Sequence, residues 1–201
     1  MSASIKSPWV LHYDASSCNG CDIEVLAALT PLFDVERFGI INTGNPKHAD
    51  VFLITGSVNE IQVSVVRQLY EQMLEPKVVV ACGVCACTGG VFKECYNTLG
   101  GADVAIPVDV YAPGCAIRPE AIIDAVVQGL GVLEEKRALL AQGKLEPAEM
   151  PSLPSAANKC VQGQSVALSW KEAIALAQKQ PSIEESTQAE AVKETLAKEE
   201  S

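Results

Sequence analysis

Apolar residues dominate three short stretches of the chain, residues 9–13 (Trp9-Val10-Leu11-His12-Tyr13), 51–55 (Val51-Phe52-Leu53-Ile54-Thr55) and 77–81 (Lys77-Val78-Val79-Val80-Ala81). Runs this short and this continuous suit strands buried on both faces of a sheet. Residues 35–41 and 108–112 read as two further strands, second and fifth in order. The stretches between them change period. Residues 22–29 read as a helix stopped near Thr30-Pro31, and residues 60–74 place Ile61, Val65, Leu69 and Met73 four apart, the spacing of an amphipathic helix. A last helix is predicted from Pro119, because proline is well tolerated in a first turn, through Ile122, Ile123, Val126, Val127 and Leu130 toward Leu140.

Strands that alternate with helices predict an α/β fold, a doubly wound, mostly parallel sheet covered on both faces. The expected strand order is the flavodoxin-like 2-1-3-4-5. In such sheets ligands bind beyond the carboxyl ends of the strands, beside the switch point next to the first strand. After Ala141 the pattern breaks at Pro147, Pro151 and Pro154, and residues 182–201 are rich in Glu, Lys, Ala, Gln and Ser. The expected organisation is one domain over residues 1–141 and an irregular extension over 142–201. That extension holds a short helix from Ser169 to Gln180 and a disordered end.

Composition narrows the chemistry. The 201 residues are 48% hydrophobic and 5% aromatic, so aliphatic side chains must fill the core. A formal charge of −10 argues against nucleic acid, whose phosphates need a basic face. The first residues show no apolar signal segment and no twin arginine, and no apolar stretch is long enough to span a bilayer; residues 78–92 lack charge but are short and broken by glycine. The expectation is a cytoplasmic protein with reduced thiols, on the inner face of the membrane only through partners. In that setting eight cysteines favour metal binding over a disulfide framework.

Three cysteine segments stand out: Ser17-Cys18-Asn19-Gly20-Cys21-Asp22-Ile23-Glu24, Cys82-Gly83-Val84-Cys85-Ala86-Cys87-Thr88-Gly89-Gly90, and Ala112-Pro113-Gly114-Cys115-Ala116-Ile117-Arg118-Pro119-Glu120. Each follows a predicted strand and opens a glycine-rich turn, so all three open on one edge of the sheet. Cys18, Cys21, Cys85 and Cys115 are the candidate ligands. Cys18 and Cys21 precede a helix whose N-terminal dipole favours thiolate. Gly83, Gly89, Gly90 and Gly114 would let backbone approach cluster sulfurs. Four thiolates suit an iron–sulfur cluster of the four-iron kind. Zinc is the chemical competitor, since four cysteines also make a closed tetrahedral site. A redox Cys-x-x-Cys pair would leave Cys85 and Cys115 unexplained. Cys82 and Cys87 lie close enough to replace Cys85, and spacing does not choose among them. Otherwise Cys82, Cys87 and Cys95 read as small core hydrophobes, and Cys160 as a bystander in the extension.

These segments resemble the small-subunit family of nickel–iron hydrogenases and the related 20 kDa subunit of complex I, over roughly residues 8–130. The Cys85 segment resembles the family's Gly-x-Cys-Ala-x-x-Gly-Gly motif and the Cys115 segment its Pro-Gly-Cys-x-x-Arg-Pro-Glu motif. The resemblance implies one 4Fe-4S cluster held by Cys18, Cys21, Cys85 and Cys115. Complex I subunits carry two adjacent cysteines at the first position, whereas Cys18-x-x-Cys21 follows the hydrogenase pattern. Uptake hydrogenase small subunits are longer, with a twin-arginine leader and a second cysteine-rich domain. The short form here is similar to the energy-converting, membrane-bound group.

The function so implied is electron transfer in an oxidoreductase, a cluster-bearing subunit without the nickel site. Its partners would be a nickel–iron large subunit, a ferredoxin-like iron–sulfur subunit and integral membrane subunits. The alternatives are a complex-I-like quinone or sulfur oxidoreductase, and a non-redox zinc module. Glu24, one turn past Cys21, reads either as a proton relay at the large subunit or as an acid favoured by the helix N-terminus. Arg118 reads as a cation offsetting cluster charge or as a helix-start residue, and Asp14 as a shaper of the first cysteine turn. His12 and His48 receive no role.

Overall fold

The computed structural model describes residues 7–146 and 148–153. Within them five strands form a parallel sheet: β1 (Trp9–Asp14), β2 (Ile41–Asn42), β3 (Val51–Thr55), β5 (Val78–Cys82) and β7 (Val110–Ala112). Their order is β2-β1-β3-β5-β7. Counting only these five, that is the flavodoxin-like 2-1-3-4-5 arrangement expected from sequence. Every residue of β3 and of β5 is buried, as a central parallel strand covered on both faces requires.

Successive side chains of a strand point to opposite faces, and this alternation builds two cores. Val51 and Leu53 of β3, with Val78 and Val80 of β5, pack with Val25 of α1 (Gly20–Ala28) and with Ile122, Val126 and Leu133 of α4 (Pro119–Ala141). Phe52, Ile54, Val79 and Ala81 point the other way, toward Val66 and Tyr70 of α2 (Gln62–Gln72) and toward Ile106. Helix α4 starts at Pro119 as predicted, and Arg118 before it is extended, the conformation a following proline imposes.

Several elements differ from the sequence expectation. Residues 35–41 are mostly not a strand: Val35–Phe38 form a single 3-10 turn between Asp34 and Gly39, both at positive φ, and only Ile41–Asn42 pair with β1. The buried stripe of α2 is Val63, Val66, Tyr70 and Met73, whereas Ile61 is 72% exposed and Val65 is also outside. Two apolar stripes run along this helix, and the sheet takes the one that carries Tyr70. The glycine-rich segment after β5 begins with a short helix, α3 (Val84–Thr88). A small antiparallel pair, β4 (Val58–Asn59) with β6 (Thr98–Gly100), lies outside the main sheet. The helix expected over 169–180, Cys160 and the expected disordered end lie outside the described residues.

Candidate metal centre

All four candidate thiols follow the carboxyl end of a parallel strand. The loop after β1 carries Cys18 and leads to Cys21, the second residue of α1. β5 ends at Cys82, and Cys85 is the second residue of α3. Cys115 lies in the turn between β7 and α4. Cys18 and Cys115 are exposed, Cys85 is half-buried and Cys21 is buried, so the group runs from solvent into the protein.

The two inner thiols feel the charge of the others. Burial pushes the Cys85 thiol up, and negative charge on Cys21, Cys115 and Cys18 pushes it the same way. Cys21 is also raised, first by burial and further by charge on Cys18, Asp22 and Cys115. The Ile117 backbone N–H, donating to its sulfur, opposes that rise. Charge on the neighbouring cysteines thus disfavours the thiolate form of Cys21 and Cys85. Among the described residues no three His, Cys, Asp or Glu side chains converge on a point that one metal ion could occupy. The sulfurs lie within one another's electrostatic reach without meeting at one centre.

The backbone around them is shaped by two glycines. Gly83 has φ +87°, and a Cβ there would stand 2.5 Å from the Cys21 sulfur. Gly56, just past β3, has φ +77°, and its Cβ would meet the Ser17 nitrogen at 2.5 Å and the Ser16 carbonyl carbon at 2.6 Å. The first cysteine loop can lie across the end of β3 only because position 56 has no side chain. Asp14 accepts from the backbone N–H of Ser16 at 2.9 Å and of Ser17 at 2.6 Å, an Asx-type turn that shapes the loop as its position suggested. Of the other glycines expected near sulfur, Gly90 approaches Cys85, whereas Gly89 and Gly114 approach backbone of Lys93, Gly100 and Ile117.

The remaining cysteines separate by burial. Cys82 is fully buried, and burial pushes its thiol up to about 12. Cys87 is buried with its sulfur 3.5 Å from the Ala81 carbonyl oxygen. Two residues apart on a helix, Cys85 and Cys87 face nearly opposite ways. Both Cys82 and Cys87 are small core residues, as read from sequence. Cys95 is not: it is exposed and lines an open crevice with Cys18, Ser57 and Phe92, because the segment between α3 and β6 lies on the surface.

Sequence reading overlooked Asp22 and His12. The Asp22 carboxylate accepts from Thr55 Oγ1 at 2.5 Å and from the Ser17 hydroxyl, and lies 2.9 Å from His12 Nε2. Burial alone would raise Asp22, yet the hydrogen bonds from Ser17 and Thr55 and the His12 charge outweigh it and hold the carboxyl below its usual range. The available signal was a polar residue inside the apolar run of β1 and an acid directly after Cys21. Glu24 is half-buried one turn along α1, and Arg118 is exposed before α4. His48 packs its ring against Trp9, with centroids 5.7 Å apart.

Residues 18–129, which span all four thiols, match the family described as NADH ubiquinone oxidoreductase, 20 Kd subunit. The chain is 49% identical over 144 residues to the probable membrane-bound hydrogenase subunit mbhJ of Pyrococcus furiosus, covering 72% of this chain and 84% of that protein. It is 41% identical over 147 residues to formate hydrogenlyase subunit 7 of Escherichia coli, covering 72% of this chain and 58% of the relative. A chain in the structure of the membrane-bound sulfane sulfur reductase, an archaeal respiratory membrane complex, matches with a TM-score of 0.58 and 31% identity, over 86% of this chain and 92% of that one.

Proposed function

Because the chain belongs to the family of the 20 kDa subunit of NADH ubiquinone oxidoreductase, and so is part of an oxidoreductase, we propose that it is the electron-transfer small subunit of a membrane-bound, multi-subunit nickel–iron hydrogenase. The observation that carries this reading is the meeting of the loops bearing Cys18, Cys21, Cys85 and Cys115 at one edge of the sheet, each after a parallel strand.

The donor set fits one 4Fe-4S cluster. There is one thiol for each iron, and glycine at 83 leaves open the space beside the Cys21 sulfur that a side chain would fill. A single zinc ion would draw four sulfurs to within about 3.8 Å of one another, given Zn–S bonds of about 2.3 Å. A four-iron cube instead takes its four thiolates one at each iron corner, further apart. When bound, the cluster would supply one-electron transfer between a ferredoxin-like iron–sulfur subunit and the nickel–iron centre of a large subunit that forms or oxidises hydrogen.

The protein's part is to hold and insulate. The buried Cys21 and half-buried Cys85 would hold the cluster from within the protein, and the exposed Cys18 and Cys115 from the solvent side. The Ile117 N–H favours thiolate on Cys21. Exposed apolar side chains flank the thiol loops, Ile23 and Leu26 on α1 and Val91 and Tyr96 after α3, which is what a face covered by partner subunits needs. Among the described residues no helix is long and apolar enough to cross a membrane. In this reading integral membrane subunits of the complex hold the chain at the inner face of the membrane. Glu24, half-buried beside this face, is the candidate for proton transfer to the large subunit.

The likeness to a chain of the sulfane sulfur reductase favours a second reading, the same cluster serving a complex-I-like sulfur or quinone oxidoreductase. One experiment separates the two: iron, acid-labile sulfide and nickel content of the complex purified anaerobically through this subunit, with an EPR spectrum after dithionite reduction. A reduced four-iron signal together with nickel in a co-purifying large subunit supports the hydrogenase. Iron and sulfide without nickel move the function to the second reading. Zinc without sulfide sinks both.

A further inference from the structure

Asp22 directly follows a candidate ligand and is buried, at 9% exposure. Its carboxylate is held from three elements. His12 reaches it from β1, Nε2 to Oδ1 at 2.9 Å; Thr55 reaches it from the end of β3, Oγ1 to Oδ1 at 2.5 Å; and the Ser17 hydroxyl donates to Oδ2 from the cysteine loop itself. Ser17 in turn accepts from the Asn19 backbone N–H at 2.9 Å. Ser17 and Asp22 are the immediate chain neighbours of Cys18 and Cys21, so this carboxylate is anchored beside two of the four thiols.

Packing alone does not demand a charge at this position. Ser17 and Thr55 carry hydroxyls that rotate to donate or accept, so a neutral amide of the same shape would be accommodated. A buried carboxylate is costly unless its oxygens are satisfied and a counter-group is near. The fold provides both, two hydroxyl donors and one imidazole, around an ionised group. The charge itself is what these residues preserve.

Resting on the cluster reading above, we propose that Asp22 is a positioning residue whose fixed negative charge lowers the reduction potential of the centre held by Cys21 and its three companions, and that His12 moderates this charge. Reduction adds negative charge beside an existing one, so a carboxylate in the low-dielectric wall disfavours the reduced state. An imidazole N–H donating to Oδ1 withdraws part of that charge.

The test is an EPR-monitored redox titration of the complex purified through this subunit, at about pH 8, where ordinary carboxylates are ionised. The variants are Asp22→Asn, His12→Ala and the double substitution. The charge assignment expects opposite shifts: a more positive midpoint for Asp22→Asn and a more negative one for His12→Ala. The double variant should match Asp22→Asn, because His12 acts through the carboxylate, directly and by way of Thr55 Oγ1, 3.2 Å from its Nε2. A purely structural role would move both single variants the same way or neither, and either result overturns the inference while the cluster stands. If Asp22→Asn fails to take up iron, His12→Ala decides alone: a lowered midpoint supports the assignment and an unmoved one overturns it. Absence of iron and sulfide from the unsubstituted complex would overturn the cluster reading itself, an outcome distinct from all of these.

Discussion

The Cys21 sulfur rests against Gly83 so closely that a methyl group on that glycine would stand 2.5 Å from it. The contact joins α1 to the turn between β5 and α3, and so joins the first cysteine segment to the second. It predicts the effect of Gly83→Ala. At φ +87° a non-glycine residue costs about 1–3 kcal/mol of backbone strain, and the added carbon displaces the sulfur. Iron and acid-labile sulfide per chain should fall several-fold. Gly44→Ala, where an added Cβ meets nothing within 4 Å, should load like the unsubstituted protein. Equal loading in both variants would refute a role for this contact.

The four-thiol assignment predicts a sharp division among the cysteines. Cys18, Cys21, Cys85 and Cys115, each replaced by Ala, should lose the cluster. Cys82→Ala and Cys87→Ala should keep it and cost on the order of 1 kcal/mol of stability from lost burial. Cys95→Ala and Cys160→Ala should keep the iron, and Cys95→Ala, at an exposed position, should leave stability unchanged. Cys82 provides a second check. With its thiol pushed up to about 12, it should resist alkylation at about pH 8 in the folded protein, because the thiolate is the nucleophile. Iron retained in Cys85→Ala but lost in Cys82→Ala would reverse the assignment.

The sheet was readable because central parallel strands leave an unmistakable trace: residues 51–55 and 78–82 are nearly all apolar and buried on both faces. Elements that draw stability from tertiary context left little trace. β4 and β6 are two and three residues long, too short for any period. The 3-10 turn at Val35–Phe38 was hidden by its apolar ends and given away only by Gly39. On α2 two apolar stripes competed, and nothing local says that the one with Tyr70 faces the sheet. The turns that carry the cysteines were legible because glycine interrupts each apolar run just past its strand. The Asp22–His12 pair was not, since it depends on register: β1 beside β3 puts His12 opposite Leu53 and Asp14 opposite Thr55, and only that alignment brings His12 and Thr55 to one carboxylate.

Ile117 connects the third cysteine segment to the core. It is 1% exposed, and its backbone N–H donates to the Cys21 sulfur. Ile117→Ala keeps that N–H but leaves a cavity, so it should cost about 2–4 kcal/mol in denaturant unfolding, with iron content per folded chain preserved. If iron is lost while the midpoint of unfolding stays unchanged, the side chain does more than pack.

The Asp22 network also makes a prediction about acid. Its carboxyl is held below the ordinary range in the folded chain, so its contribution to stability is fully present above the unfolded value, about 3.9, and is lost as pH falls through the lower folded value. At neutral pH, Asp22→Asn should be less stable by about 1–3 kcal/mol, the usual cost of losing hydrogen bonds to a buried charge. As pH falls through the carboxylate range, the aspartate takes up a proton and comes to resemble the amide, so the gap between the two proteins should close. Denaturant midpoints of both metal-free chains, compared from neutral pH down to about pH 3, give the measurement, with the range set by ordinary carboxylate values. The other carboxylates titrate alike in the two proteins and cancel in the difference. A gap that stays constant with pH would mean that Asp22 stabilises by shape alone, without its charge.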